Sequence, residues 1–329
     1  MNRDAVRQKV LGCLAGGLIG DAMGAPVEGW RYERIVAEKG YINDFDGGGT
    51  DDSIIKLILC EALIENGGHA TADDFAASFL RHPDDYKWFF VPVRNMYHKI
   101  QDEHTLPVEA GRDNMASSSS AMSVSPIGIV NACDPRTAAA EAYEAAGLIH
   151  SGCCSFCRDG ASAIAAAVAE AFKPGATVES VLDASTAYLH KKSAAIMRGR
   201  ITDMLALARE TADYAIFRKR YYDSVPLYNT ICDSRETVPV ALAAFLLSRG
   251  DVNKAIEYGA NFGRDADTIA TMSGAVAGAF AGAAGIDGRW LEKALAGAAS
   301  QERLADDMTE LIALRRKEKS DALALIDAI

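Results

Sequence analysis

"GCLAGGLIGDAMG", residues 12–24, sets glycine at every fourth position, Gly12, Gly16, Gly20 and Gly24, within an otherwise apolar run. In an α-helix residues four apart lie on one face, so this spacing makes a smooth stripe. Each interior glycine costs ~1 kcal/mol relative to alanine, and a repeated row therefore signals close approach by another backbone along the four-residue ridge. A second row, Gly274, Gly278 and Gly282, stands in "GAVAGAFAG" near the other end of the chain. These two helices are expected to pack antiparallel. That arrangement would carry the loop after Gly24, with Glu28, to the segment before Thr268.

Outward from these rows, apolar residues recur at three and four positions and β-branched alternation is nearly absent, which predicts an all-α fold. Helices are expected at about 3–23, 52–65, 72–80, 136–146, 160–172, 178–191, 194–214, 238–248, 252–261, 268–284 and from 291 to the end. Thr71 with Asp74 reads as a capping-box start, and Pro239 suits a first helical turn. Irregular stretches are left at 24–50, 82–135 and 215–236, lengths that in a helical domain usually carry function. No low-complexity linker interrupts residues 1–329, so a single compact multi-helix domain is expected.

The chain has 329 residues, 49% of them hydrophobic, enough for a large core. Lys plus Arg is 34 against 45 acids, giving −11, and no basic stripe with interleaved aromatics argues for nucleic acid. A chain this acidic needs bound cations to hold an anionic substrate. The N-terminal apolar run superficially resembles a signal peptide, but Asp21 and the glycine spacing assign it to a core helix. Residues 268–286 approach the ~20 residues of a membrane span, yet are mostly Ala and Gly, so no membrane partner is expected. Seven cysteines at irregular spacing fit reduced thiols and predict a cytoplasmic protein. Nothing in the sequence fixes an oligomeric state.

Two short motifs concentrate acid at helix starts. "GGGTDDSI", residues 47–54, holds Thr50, Asp51 and Asp52; "GRDADTIA", residues 263–270, holds Asp265, Asp267 and Thr268. One such side chain would cap a helix and suit its positive end. Two clusters with two carboxylates each exceed that need. Adjacent carboxylates repel unless neutralised, and oxygen donors without nearby His or Cys select hard cations such as Mg²⁺, Mn²⁺ or Ca²⁺. Gly47 to Gly49 would let the backbone turn tightly enough to aim the first cluster.

With these motifs the chain resembles the ADP-ribosylglycohydrolase (DraG-like) family. The matching pieces are "GCLAGGLIGDAMGAPVE" (12–28), "TDDS" (50–53), "AMSVSPIG" (121–128), "HSG" (150–152), "ETVPVALAAF" (236–245) and "NFGRDADTIATMSGAVAGAFAG" (261–282). They occur in the family's order and span most of the chain. The resemblance implies an all-helical domain with two Mg²⁺ ions, Mn²⁺ being a substitute, that cleaves a bond at the anomeric carbon of ADP-ribose. Carried over, Thr50, Asp51, Asp52 and Asp267 would hold one ion and Asp265, Asp267 and Thr268 the other. Glu28 matches the acidic residue on the family's mobile loop. Asp52 and Glu28 are the candidate general bases, Met122 and Arg264 candidate substrate contacts. Arg264 could equally pair with a neighbouring acid.

The sequence also departs from the family. Where many relatives have Gly-Asn-Gly before "AM", Ser117 to Ser120 stand here, which puts recognition of the whole ADP moiety in doubt and leaves Ser118, Ser119 and Ser120 either as candidate phosphate or sugar donors or as part of a plain flexible loop. His150 aligns with a family histidine near the pocket, or is a satisfied structural histidine. "HSGCCSFC", with Cys153, Cys154 and Cys157, resembles a zinc cluster but lacks a second pair at the required spacing. Aromatics gather at Trp30, Tyr32, Trp88 to Phe90 and Tyr221, Tyr222 and Tyr228; Tyr222 is chosen as the stacking candidate. The favoured partner is an ADP-ribose-containing or ribosyl substrate. The rivals are an N-ribosyl hydrolase of smaller nucleoside-like compounds and a non-catalytic ADP-ribose-binding or structural relative.

Overall fold

The computed structural model describes residues 1–297 and 300–329. Elements used below are α1 (Arg3–Gly24), α2 (Asp51–Glu65), α3 (Ser119–Ser123), α4 (Phe156–Ala171), α5 (Tyr214–Ser224), α6 (Ser234–Leu247), α7 (Ala266–Ala281) and α8 (Gln301–Asp327). Every regular element among the described residues is helical; the one β-type pairing is an isolated bridge between Arg31 and Gly263.

The two glycine rows meet. A Cβ at Gly12 would lie 2.4 Å from the Gly278 carbonyl oxygen, at Gly16 2.4 Å from that of Gly274, at Gly20 2.2 Å from that of Ala270, and at Gly24 2.3 Å from the Asp267 nitrogen. Partners descend on α7 as positions rise on α1, so the helices are antiparallel and in backbone contact. The Arg3–Val27 run is apolar and long enough to cross a membrane, but 83% of its apolar window is buried by the surrounding helices. One continuous core runs from Val10 on α1 to Ile312 on α8.

Several boundaries shift for identifiable reasons. α6 starts at Ser234, capped by Asp233, which accepts from the Arg235 amide at 2.9 Å. Pro239 is therefore inside the helix rather than in its first turn. A proline here leaves the carbonyl four residues back without its helical donor. The Arg200 guanidinium supplies the replacement, Nε donating to the Arg235 oxygen at 3.3 Å. The expected 194–214 helix stops at Thr211 because Ala212 turns left-handed, φ 53°, after which Asp213 caps α5. The helix expected from 291 to the end is two, Gly288–Leu295 and α8. The stretches read as irregular contain short helices, among them Tyr32–Glu38, Val91–Gln101, α3 and α5.

α4, rich in alanine, is buried almost all round and includes Asp159, whose Oδ1 has no hydrogen-bond partner. Burial pushes this carboxyl up to about 6, with His190 and Arg158 opposing. A raised folded-state value means the stabilising form is the protonated one, so this contribution is complete below the unfolded value and lost as pH rises through about 6. Asp159→Asn is therefore expected to melt higher than wild type at pH 8 and alike near pH 4, a difference that thermal melts across pH measure.

Candidate active site

The antiparallel glycine contact sets the site's geometry. Where α1 ends α7 begins, and a backbone clasp joins them: Gly29 N–H donates to the Arg264 oxygen at 2.7 Å and Arg264 N–H to the Trp30 oxygen at 2.6 Å. The clasp holds Glu28 against the start of α7. Carboxylate oxygens of Glu28, Asp265 and Asp267 lie within 4.8 Å of one another, the only such grouping of His, Cys, Asp or Glu among the described residues. The cysteine-rich segment forms no comparable cluster; its Cys153 and Cys154 sulfurs are 3.8 Å apart, and all seven thiols are free.

The other motif arrives on α2. Thr50 is its N-cap, the hydroxyl oxygen accepting from the Asp52 amide at 3.4 Å. The two halves touch where Thr268 Oγ1 donates to Asp52 Oδ2 at 3.2 Å. Capping leaves the rest of the acid unexplained. Asp265, at the N-cap position of α7, makes no capping bond and accepts instead from Ser118 Oγ at 2.9 Å. Asp51 accepts from the Phe90 amide at 3.2 Å.

Asp21 organises this half and escaped the motif reading. It is fully buried and accepts from the Thr50 amide at 2.9 Å and hydroxyl at 2.8 Å, and from the Ser53 amide at 3.0 Å and hydroxyl at 2.6 Å. Gly47 has φ 105°, and a Cβ on Gly49 would lie 2.4 Å from Asp21 Oδ2, so the glycines admit the turn and the carboxylate together. Asp21→Asn turns one acceptor into a donor facing donors. It is expected to cost ~1–3 kcal/mol of stability, read by thermal melting.

Burial and then mutual repulsion push these carboxyls up: Asp51 to about 6, Asp265 to about 7, Asp52 and Asp267 well above the ordinary range. Asp52 Oδ1 and Asp267 Oδ1 are buried without any hydrogen-bond partner. Buried carboxylates in this state require protons or cations. A donor set made wholly of carboxylate and hydroxyl oxygens fits hard divalent ions. On these observations the residues present suit such a metal.

The cluster opens into a cavity of about 270 Å³. Glu28, Asp51, Asp52, Asp265, Asp267 and Thr268 line it, with Ser118, Ser119 and Met122 on one side. Trp88, Phe89, Phe90, Arg94 and the Thr230–Cys232 segment complete the wall. Other candidates lie elsewhere. Thr50 turns its hydroxyl to Asp21. His150 is buried between Ser117 and Ser120, Nε2 at 3.0 Å from one hydroxyl and Nδ1 at 2.5 Å from the other, and burial holds its pKa down to about 3. Ser120 therefore faces that histidine rather than the cavity. Tyr222 packs edge-on against Tyr32 and donates its hydroxyl to the Phe262 oxygen. Arg264 is paired with buried Glu236 and donates to the Tyr228 oxygen at 2.6 Å. His150, Ser120, Tyr222 and Arg264 serve the scaffold, and the cavity's aromatic wall comes from residues 88–90.

The fold and cleft thus define a class: all-helical proteins with a buried polycarboxylate centre completed from both ends of the chain. The chain belongs to the ADP-ribosylglycohydrolase family, whose sequence profile matches residues 2–320. It is similar to the uncharacterized protein YegU of Escherichia coli (strain K12), 28% identical over 85% of this chain and 90% of that one. It is also similar to an uncharacterized protein of Archaeoglobus fulgidus, 27% identical over 95% of this chain and 98% of the other. A solved structure described as an ADP-ribosylglycohydrolase-related protein complex shares the fold, with a TM-score of 0.70 and 23% identity over 94% of this chain and 99% of that one.

Proposed function

We propose that the chain is a Mg²⁺-dependent hydrolase of the glycosidic bond at the ribose anomeric carbon of ADP-ribosylated proteins or small ADP-ribose derivatives. The carrying observation is the carboxylate cluster that lines the cavity, with buried, unpartnered oxygens on Asp52 and Asp267. Asp51, Asp52, Asp265, Asp267 and Thr268 would hold two Mg²⁺ or Mn²⁺ ions, with Thr50 behind them and Glu28 at the mouth. Bound there, the ions supply Lewis-acid polarisation of water and ribose hydroxyls. The protein's own groups do the rest. Asp52 or the more exposed Glu28 takes the proton of the attacking water as oxocarbenium character develops at the sugar. Ser118 and Ser119 offer hydroxyls to sugar or phosphate oxygens, and Met122 gives the sugar an apolar wall.

The test is chromatographic detection of ADP-ribose released from ADP-ribosylated protein or from small conjugates, with and without Mg²⁺. Metal-independent release, or none from any ADP-ribosyl compound, overturns the proposal. Two observations favour a second reading, hydrolysis of smaller nucleoside-like ribosides: about 270 Å³ is below the ~300–1,000 Å³ usual for ligand pockets, and Arg264 is committed to Glu236. Release of free base from nucleosides, with indifference to ADP-ribose, would select it. Mg²⁺-dependent ADP-ribose binding without turnover would instead mark a binding protein.

Trp88, 60% exposed at the cavity wall, is placed to cover an aromatic or apolar part of the substrate. Trp88→Ala is expected to raise KM about tenfold, ~1.4 kcal/mol of binding, with kcat nearly unchanged in steady-state kinetics.

A further inference from the structure

The opposite end of the α1–α7 pair holds the largest cavity described, about 580 Å³. Its floor is apolar, built from Val6 of α1, Val130, Phe172 and Ile312 of α8. Its charged lining is Lys9, Arg315, Arg316 and Lys319, with no Asp or Glu. On a chain of net charge −11 an all-basic lining is a local inversion of sign.

Part of that charge already has structural work. Lys9 Nζ donates to the Ala171, Ala279 and Phe280 oxygens at 2.7, 3.0 and 3.0 Å, closing the carboxyl ends of α4 and α7. Lys319 pairs with Asp134 at 2.6 Å. Arg315 spends its terminal nitrogens on Glu141, Asn131 and the Gly68 oxygen. Arg315, 4% exposed, keeps a buried Nε without a hydrogen-bond partner. Arg316, the next residue on α8, lines the same cavity and has no carboxylate partner among the described residues. The guanidinium of Arg316 matches carboxylate geometry, and no acid on the lining opposes an anion.

We propose that this cavity is a binding site for an amphiphilic monocarboxylate with an unbranched apolar tail, a medium-chain fatty acid. The carboxylate lies on Arg316 at the rim, and the tail covers Val6, Val130, Phe172 and Ile312. An apolar chamber with a few convergent polar donors is the usual makeup of a small-molecule site, and about 580 Å³ lies within the ~300–1,000 Å³ such sites occupy. A nucleotide fits the lining poorly, since no carboxylate or amide side chain is there to take ribose hydroxyls. The two cavities share no lining residue, so binding here is read separately from the activity proposed above.

Isothermal titration calorimetry with sodium decanoate tests it, with decyltrimethylammonium as the probe of equal tail and opposite charge. The expected result is decanoate binding with Kd below about 1 mM and a cation at least about tenfold weaker. Arg316→Glu, at an exposed position whose change spares the core, should weaken decanoate about tenfold at unchanged melting temperature. Ala5→Trp, which places an indole at the cavity wall, should do the same. Equal binding of both amphiphiles, unchanged affinity in Arg316→Glu, or no decanoate binding up to ~1 mM overturns the proposal.

Discussion

Asp267→Ala is expected to abolish Mg²⁺ binding and to cut turnover steeply while leaving the metal-free protein more stable than wild type. Asp267 belongs to both expected ligand sets, and its oxygens lie within 4.8 Å of those of Glu28 and Asp265. In the absence of metal this is a buried repulsive cluster, and removing one member relieves burial and repulsion together. A gain of ~1 kcal/mol appears as roughly 2 °C in melting temperature for a chain of this size. The same change deletes a donor that no neighbour can replace. The Mg²⁺-induced rise in melting temperature should vanish, and kcat/KM should fall on the order of 10³-fold, the scale for losing one preorganised electrostatic group. The two readouts separate the explanations. A mutant that is inactive but also melts early would indicate a structural aspartate, and one that hydrolyses ADP-ribosylated substrate normally would remove the two-metal proposal.

Why so much of this was readable in the chain follows from where the information is stored. The glycine rows are local patterns with a global meaning: a four-residue period of glycine admits a second backbone and nothing bulkier, so one period on each helix names the other as partner. Glu28 came with that inference, because antiparallel helices bring the end of α1 to the start of α7. Asp21 was hidden for the complementary reason. It sits in the first row as an isolated acid, and its role appears only once Thr50 and Ser53, about thirty residues on, fold over it. Side-chain direction was hidden as well. A serine run carries no mark telling that Ser118 and Ser119 reach the cavity while Ser117 and Ser120 clamp His150. Nor does "GRDADT" say that Arg264, in the left-handed region at φ 59°, turns back to Glu236. Pro239 misled in the same way, since a distant arginine, Arg200, supplies the donor that a helix-interior proline lacks.

The glycine contact itself yields the sharpest test of the fold. Gly16→Ala is expected to destabilise the protein by about 3 kcal/mol or more, because the new methyl would lie 2.4 Å from the Gly274 oxygen and 3.0 Å from its carbon. Those are backbone atoms of α7, so relief requires moving the whole helix and with it Asp265 and Asp267. Helix propensity acts in the other direction, favouring alanine by ~1 kcal/mol, and is outweighed. Gly199 provides the internal control. It lies in the Ala195–Thr211 helix, and nothing falls within 4 Å of a Cβ built there. Gly199→Ala should therefore show the propensity gain alone, about 1 kcal/mol of added stability. Urea unfolding of both variants measures the pair. Opposite signs support backbone contact between the rows, whereas a stabilising Gly16→Ala would mean the helices are not held as close as the structure places them. Because α7 carries two of the cluster's carboxylates, Gly16→Ala should also weaken Mg²⁺ binding, although residue 16 touches none of the expected ligands.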